Sequence, residues 1–343
     1  MSVRLPSSRS APTRRRGETP DSPSGLVRAT AARITLKLLA VALAGAGLAP
    51  PAAHAGTYEM HNCTSPSGAR APLVADWSAS KGDIDDNCSA FGSATVRLSQ
   101  STLPNGERGG LEIAVPATTP NARIAAFRAS LSTNVSSGSN SFLSAHIGSL
   151  NVFHQAFPTS TGFDTTYGLG VTPGRSLSIS AICNNTAAYS ECSYADGRPF
   201  TIRGLTLLLQ EDVAPTATFA GSLVGTGPKD GVHTLVVTGH DTDSGVRGVD
   251  LVIDGKVVGT ASFVAACSPL RWRVCPENPS HTFTVDTTGM PDGDHAVAAV
   301  VTDHAGNTRT EEWGDIVVAN GRVGGTRPID DFDGDGRPNE ADP

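Results

Sequence analysis

The sequence predicts an all-β protein built from two successive β-sandwiches and a short C-terminal calcium loop. Three observations support this prediction. The 343 residues include 37 Gly and 23 Pro but only 5% aromatic residues, a composition that disfavours long helices. Runs typical of strands recur about every dozen residues, separated by turn-forming clusters. Apolar and polar residues alternate in 177–181 and 205–209, as half-buried strands require.

Residues 1–55 are predicted to be a signal peptide. The apolar run 38–49 is too short to span a membrane, follows basic residues such as Arg33 and Lys37, and precedes Ala53-His54-Ala55. Cleavage after Ala55 removes eight basic and two acidic residues, so the net charge changes from −7 to −13. Such a charge disfavours nucleic acid and anionic membranes as partners. We expect the protein to be secreted, extracellular or associated with a cell surface.

The six cysteines all follow this segment, so disulfides are expected in an exported chain. Fifteen pairings are possible, and the local grouping favours Cys63 with Cys88, Cys183 with Cys192, and Cys267 with Cys275. A zinc site is the alternative, but it would require closer C-x₂₋₄-C spacing than these pairs have.

Residues 56–212 are predicted to form the first sandwich, for which size favours a jelly-roll-like fold of the lectin or glucanase type. The candidate strands are 93–100, 110–117, 123–132, 142–148, 150–157, 176–184 and 200–210. The segment 211–215, which is acidic and ends in proline, is predicted to be a short linker.

Residues 213–320 are predicted to form the second sandwich. Seven short strands in about 105 residues are typical of an Ig-like sandwich. The candidate strands are 216–223, 233–239, 248–253, 256–261, 281–285, 295–302 and 315–318.

Five short sequence patterns resemble those that recur in bacterial Ig-like domains on extracellular proteins. They lie at 243–246, 252–256, 285–288, 291–295 and 303–307. The cysteine-bounded insertion 267–275 resembles a feature of secreted actinobacterial multidomain proteins. The segment with Cys63, Trp77 and Cys88 is similar to the lectin- or glucanase-like sandwich that precedes such domains. The resemblance implies a modular extracellular protein.

The segment 331–342 has the pattern D-x-D-x-D-G-x-x-N-x-x-D, with oxygen ligands at the spacing of a calcium loop. Neither flank supports a helix, so it resembles a thrombospondin type 3 repeat more closely than an EF-hand. That resemblance implies Ca²⁺ as the cofactor; Arg337 would contribute its backbone carbonyl. An acidic disordered tail is the alternative explanation. The predicted ligands are Asp331, Asp333, Asp335, Arg337, Asn339 and Asp342.

Catalytic motifs are not found. Jelly-roll glucanases place paired acids on one strand as E-x-D-x-E, and the sequence has no such triplet. Glu112 lacks a partner two residues on, so we expect it to be a solvent-facing strand residue. We therefore predict no enzyme activity. The alternative is a secreted carbohydrate-active hydrolase with acids on loops, drawn from Asp76, Asp83, Asp85, Asp86 and Asp164.

Asp76, Trp77 and Tyr167 are candidate ligand-binding residues, because an aromatic ring beside a carboxylate is common chemistry for sugar recognition. Core packing of the rings is the alternative explanation. The segment 271–273, Arg-Trp-Arg, is either an exposed contact for a partner or a plain loop.

The sequence contains two further candidate metal sites. Asp241, Asp243 and Asp303 could converge on a second calcium site, although aspartates that stabilise their own turns explain them more simply. His146 and His154 could face each other across a hairpin, although two ordinary strand histidines are the simpler explanation.

These features together predict a non-catalytic secreted or cell-surface binding or adhesion protein with a calcium-stabilised C-terminus. A glycan or an extracellular surface polymer is the candidate ligand of the first sandwich. The remaining alternatives are the hydrolase and a purely structural extracellular spacer.

Overall fold

The computed structural model describes residues 56–73, 77–133, 140–156, 163–168, 170–184 and 190–321. The predicted signal peptide and the predicted C-terminal calcium loop lie outside these residues. The described chain is almost entirely β, which confirms the predicted fold class. No helix of the described residues is long and apolar enough to cross a membrane.

The first sandwich has two large antiparallel sheets and a two-stranded ribbon. Its described residues contain one α-helix, α1 (Cys88–Phe91), which is a single turn. The strands are β1 (Gly56–Asn62), β2 (Trp77–Ser80), β3 (Gly82–Asn87), β4 (Ser93–Leu98), β5 (Thr102–Pro104), β6 (Arg108–Ala114), β7 (Arg123–Thr133), β8 (Ser141–Ile147), β9 (Leu150–Ala156), β10 (Phe163–Tyr167), β11 (Ser176–Cys183), β12 (Glu191–Ser193) and β13 (Phe200–Glu211).

One sheet has the order β10-β7-β13-β4-β3, and β1 also pairs with β13; the other has the order β2-β6-β11-β8-β9. The chain passes repeatedly from one sheet to the other, as in a jelly roll. Inward-facing residues of both sheets, such as Phe127 of β7 and Ile179 of β11, form one continuous core. In β13 the pairing register shifts between Ile202 and Leu205, and beyond that shift β13 pairs with β1 instead of β4.

The second sandwich has the three-stranded sheet β14-β15-β18 and the four-stranded sheet β17-β16-β19-β20, and therefore the seven strands of the predicted Ig-like fold. Its core, which includes Leu251 and Phe283, is separate from that of the first sandwich. The strands are β14 (Thr216–Ala220), β15 (Val232–His240), β16 (Val246–Ile253), β17 (Lys256–Ser262), β18 (Ser280–Asp286), β19 (Gly293–Asp303) and β20 (Thr308–Val318).

Three disulfides have the expected pairing: Cys63–Cys88, Cys183–Cys192 and Cys267–Cys275. The described residues contain no free cysteine. Cys63–Cys88 joins the end of β1 to α1, and Cys183–Cys192 joins β11 to β12. The third closes the loop between β17 and β18, which packs against the first sandwich, as described below.

Candidate metal centre

A buried carboxylate ends the last strand of the first sandwich. Along β13 the side chains of Leu205, Leu207 and Leu209 alternate into the core, and Glu211 continues this phase. Glu211 is only 1% exposed, although it lies in the segment predicted to be a linker. Its Oε1 accepts a 2.5 Å hydrogen bond from the Ser244 hydroxyl, and its Oε2 accepts one of 3.2 Å from the Ser244 backbone N–H. The first and second sandwiches therefore meet at this carboxylate.

Two loops of the second sandwich bring further carboxylates to the same place. Asp241 and Asp243 follow β15, and Asp303 ends β19; all three are buried. Asp303 accepts hydrogen bonds of 2.7 Å from the Gly306 N–H and 2.8 Å from the Asn307 N–H. The Asp303 turn was predicted, because aspartate stabilises turns in this way.

Asp243 is directed toward the first sandwich. Its Oδ1 accepts a 2.8 Å hydrogen bond from the backbone N–H of Asn121 and one of 3.2 Å from that of Ala122. Its Oδ2 accepts a 2.9 Å bond from the Asn121 side-chain amide. Asp243 is thus engaged across the contact between the sandwiches.

The other three acids form what we call the joint cluster: Glu211, Asp241 and Asp303. One carboxylate oxygen from each lies within 4.8 Å of the others, so together they could hold a metal ion. Burial, and then the charge of Asp241, raise the pKa of Glu211 to about 9. Burial also raises the pKa of Asp241, and it raises that of Asp303 to about 6. Ionisation of these buried carboxyl groups is therefore unfavourable in the protein without a bound cation.

Tyr58 borders the joint cluster from β1. The residue is 4% exposed, and its hydroxyl is buried with no hydrogen-bond partner. Burial and then the negative charges of the nearby acids, Glu211 first, raise the pKa of this phenol. The hydroxyl therefore lies near the acidic groups, while the ring packs edge-on against His304, with the ring centroids 6.1 Å apart.

The loop closed by Cys267–Cys275 makes the second contact between the sandwiches. Trp272 is 6% exposed and belongs to the core of the first sandwich, as does Val274. The Pro269 carbonyl accepts a 2.7 Å hydrogen bond from the His61 N–H of β1. Arg273 donates a 2.7 Å bond to the Thr118 carbonyl. Of the two interpretations of the Arg-Trp-Arg segment, an exposed partner contact does not apply to Trp272, because the first sandwich covers it.

The predicted binding residues do not form one site. Trp77 lies on β2 and Tyr167 on β10, which are edge strands on opposite sides of the first sandwich. Both rings pack partly against the core; the Tyr167 centroid is 4.8 Å from that of Phe153 and 5.2 Å from that of Phe127. Asp76 lies outside the described residues. So do the predicted calcium ligands Asp331, Asp333, Asp335, Arg337, Asn339 and Asp342.

Two acids of the hydrolase alternative have structural partners. Asp85 forms ion pairs with Arg97 at 3.1 Å and with Arg198 at 3.3 Å. Asp86 accepts hydrogen bonds from the backbone N–H groups of Cys88 at 2.9 Å and Leu73 at 3.1 Å. These carboxylates hold loops of the first sandwich in place.

The remaining candidates have simple positions. Glu112 is exposed on β6, as expected. In the β8–β9 hairpin His146 pairs with Asn151, and His154 pairs with Ser144, so the two histidines are not directly opposite each other. His154 instead stacks on Phe142, with ring centroids 4.9 Å apart.

The sequence interpretation missed Glu211, Ser244 and Tyr58 as members of the site. The sequence did contain a signal for Glu211. Side chains on a strand alternate between its two faces, so Glu211 lies on the same inward face as Leu205, Leu207 and Leu209. A carboxylate in a core-facing phase needs a buried partner. No comparable pattern marks Tyr58 or Ser244, because their positions depend on the contact between the sandwiches.

No protein-family model matches this chain, and no curated protein matches it. Among solved structures, it is similar to fibronectin(III)-like modules of CbhA from Clostridium thermocellum, with 14% identity, a TM-score of 0.25, and coverage of 65% of this chain and 90% of that chain. It is also similar to a GH2 beta-galacturonidase from Eisenbergiella tayi, with 12% identity, a TM-score of 0.20, and coverage of 76% and 43%. It is likewise similar to a putative beta-galactosidase from Bacteroides fragilis, with 12% identity, a TM-score of 0.19, and coverage of 76% of this chain and 41% of that chain. This chain thus spans less than half of either hydrolase chain, and TM-scores this low carry no argument about function.

Proposed function

We propose that the protein is a non-catalytic extracellular binding protein whose first sandwich recognises a glycan or another surface polymer. The second sandwich holds the first in a fixed orientation. Three disulfides stabilise the two sandwiches, which suits an oxidising exterior. The predicted signal peptide and the predicted charge of −13 for the exported chain support the same location.

The observation that most favours binding over hydrolysis is where the acids of the described chain lie. Glu211, Asp241 and Asp303 converge between the sandwiches, where they are at most 3% exposed. A glycosidase needs two carboxyl groups on either side of a sugar bond in an accessible cleft. Asp85 and Asp86, two of the five acids of the hydrolase alternative, are occupied with ion pairs and backbone hydrogen bonds.

Phe91 is the residue we propose for contact with the polymer. It ends α1 beside the Cys63–Cys88 disulfide and, at 76% exposed, is the most exposed large hydrophobic side chain in the described part of the chain. An exposed ring next to polar loops can stack on the apolar face of a sugar. Replacing such an exposed side chain should leave the core intact.

The test is retention of the exported chain on a panel of immobilised polysaccharides and bacterial cell-wall polymers. We expect at least one polymer to retain the protein and Phe91→Ala to weaken retention by about tenfold, the size of a lost aromatic contact of ~1.4 kcal/mol. Val257→Ala, an exposed change on the second sandwich, is the matched control. If no polymer retains the protein, the spacer alternative is favoured.

We also propose that the C-terminal loop binds Ca²⁺ through Asp331, Asp333, Asp335, Asn339, Asp342 and the Arg337 carbonyl. Support comes from the residue types and their spacing. Calorimetric titration with Ca²⁺ should show a binding heat, and the Asp333→Ala/Asp335→Ala variant should lose the part of that heat that comes from the loop. Identical heats for the two proteins would contradict this proposal.

A further inference from the structure

We propose that Glu211, Asp241 and Asp303 bind a calcium ion in the contact between the two sandwiches. This site is separate from the C-terminal loop, and it does not depend on which ligand the first sandwich recognises. Its ligands come from β13 of the first sandwich and from two loops of the second, so a bound ion would join the two sandwiches directly.

Charge is the first argument. The exposures of Glu211, Asp241 and Asp303 are 1%, 3% and 0%. In the described part of the chain, no Lys or Arg forms an ion pair with any of the three. Buried charges in proteins are normally paired or coordinate metals. A divalent cation would supply the missing positive charge.

Ligand chemistry is the second argument. All donor atoms are carboxylate oxygens, and three carboxylates can offer up to six oxygens when they bind in the bidentate mode. Ca²⁺ takes six to eight such ligands at about 2.3–2.6 Å, so ligands on opposite sides of the ion are roughly 4.6–5.2 Å apart. In the joint cluster, one oxygen from each of the three acids lies within 4.8 Å of the other two, which suits an ion of that size. Zinc and the softer metals favour nitrogen and sulfur ligands, which the cluster lacks.

The unpartnered hydroxyl of Tyr58 is independent support. This side chain is 4% exposed, and its hydroxyl has no hydrogen-bond partner among the described residues. Tyr58 pairs with Leu209, two residues before Glu211 on β13, and its ring packs against His304, which follows Asp303. An unsatisfied buried hydroxyl is unfavourable, so its persistence calls for an explanation. Calcium sites commonly include water ligands, and a water on the ion would give this hydroxyl its partner.

Turn stabilisation does not explain the arrangement. Asp303 stabilises its own turn through the N–H groups of Gly306 and Asn307. Glu211, however, lies in a different sandwich and stabilises no turn of its own; its hydrogen bonds come from Ser244. A carboxylate delivered from β13 to the loops of the second sandwich is what a shared cation requires.

The site can be tested against the C-terminal loop by combining two sets of substitutions in the exported chain. The joint variant is Glu211→Gln/Asp303→Asn, which keeps the side-chain shapes, and the loop variant is Asp333→Ala/Asp335→Ala. Calorimetry should give one fewer Ca²⁺ for the joint variant than for wild type. The loop variant should retain one ion, and the combined variant should bind none at the joint. Asp286→Asn, an exposed turn aspartate of the second sandwich, is the matched control and should behave as wild type.

The Tm of the loop variant is a second test, because in this variant the three acids of the joint cluster are unchanged. With 10 mM Ca²⁺ and a Kd of about 10⁻⁴–10⁻³ M, typical of extracellular modules, its Tm should rise by about 3–10 °C over the Tm in chelator. A Tm of the loop variant that does not respond to Ca²⁺ would overturn the proposal. So would an unchanged number of bound ions in the joint variant.

Discussion

Trp272 provides the sharpest test of the contact between the sandwiches. It belongs by chain position to the second sandwich, but its ring packs in the core of the first. We predict that Trp272→Ala destabilises the protein by about 3–5 kcal/mol, the usual cost of removing a buried Trp from a core. Area gives a similar figure: a Trp buries ~150–250 Å², worth roughly 4–6 kcal/mol at about 25 cal/mol per Å² as an upper bound.

The change should affect the two sandwiches unequally. The core of the second sandwich, around Leu251 and Phe283, does not include Trp272. We therefore expect differential scanning calorimetry to show the transition of the first sandwich lowered by roughly 6–20 °C, with that of the second sandwich little changed. Where wild type gives one transition, the variant should give two.

Arg271→Ala is the matched control, because Arg271 is the exposed neighbour of Trp272 in the same disulfide loop. It should change stability by no more than about 0.5 kcal/mol. If Trp272→Ala is as mild as Arg271→Ala, the loop does not fasten the two sandwiches together, and the reasoning about this contact is refuted.

Two further predictions concern the second sandwich. His295 hydrogen-bonds Asp254 at 2.6 Å and the Pro291 carbonyl at 2.8 Å, and these acceptors raise the pKa of His295. Because the pKa of His295 is raised in the folded protein, this stabilisation should be complete below about pH 6.5 and be lost as the pH rises through the folded pKa. His295→Gln should therefore flatten the pH dependence of the free energy of unfolding from about pH 6 to 8. An unchanged pH profile would contradict this role of His295. Gly245→Ala should cost at least about 2 kcal/mol in urea unfolding, because the glycine φ is +85° and an added Cβ would lie 2.0 Å from the Cys275 carbonyl oxygen. Gly306→Ala, with φ of +96° but open space around it, should cost only about 1–2 kcal/mol, and equal losses would exclude the steric explanation.

Local patterns predicted the seven strands of the second sandwich but only seven of the thirteen described strands of the first, because β1, β2, β3, β5, β10 and β12 were not predicted. Alternation in 205–209 and in 177–181 marked β13 and β11, and the regular spacing of turn residues marked the seven strands of the second sandwich. Disulfide pairing was also predictable, because each cysteine has its partner nearby in the chain. These features depend on residues close in sequence, so a single sequence contains the information.

The site could be predicted only in part. Asp241, Asp243 and Asp303 were recognised as loop acids that could converge, since loops at one end of a sandwich lie close together. Glu211 was assigned to a linker, because the burial that holds it depends on the second sandwich covering the end of β13. Trp77 and Tyr167 were predicted as ligand-binding residues of one site, but strand order separates them. Contacts between sandwiches and the order of strands depend on long-range pairing that local patterns do not encode.

The arrangement has a mechanical consequence. The joint cluster, the hydrogen bonds of Asp243 to Asn121, and the loop that contains Trp272 all join the same two sandwiches. A calcium ion in the joint cluster would make their relative orientation depend on extracellular calcium. This would let the second sandwich present the first at a fixed angle to a surface polymer.

The most direct test of the proposed function is analysis of the polymer after contact with the protein. A polysaccharide that retains the exported chain should be incubated with it in 10 mM Ca²⁺ and then examined by mass spectrometry for new reducing ends. Binding without catalysis predicts that the polymer is retained and recovered at its original length. Shortened oligosaccharides released by the wild-type protein would contradict the proposal and identify the protein as a hydrolase.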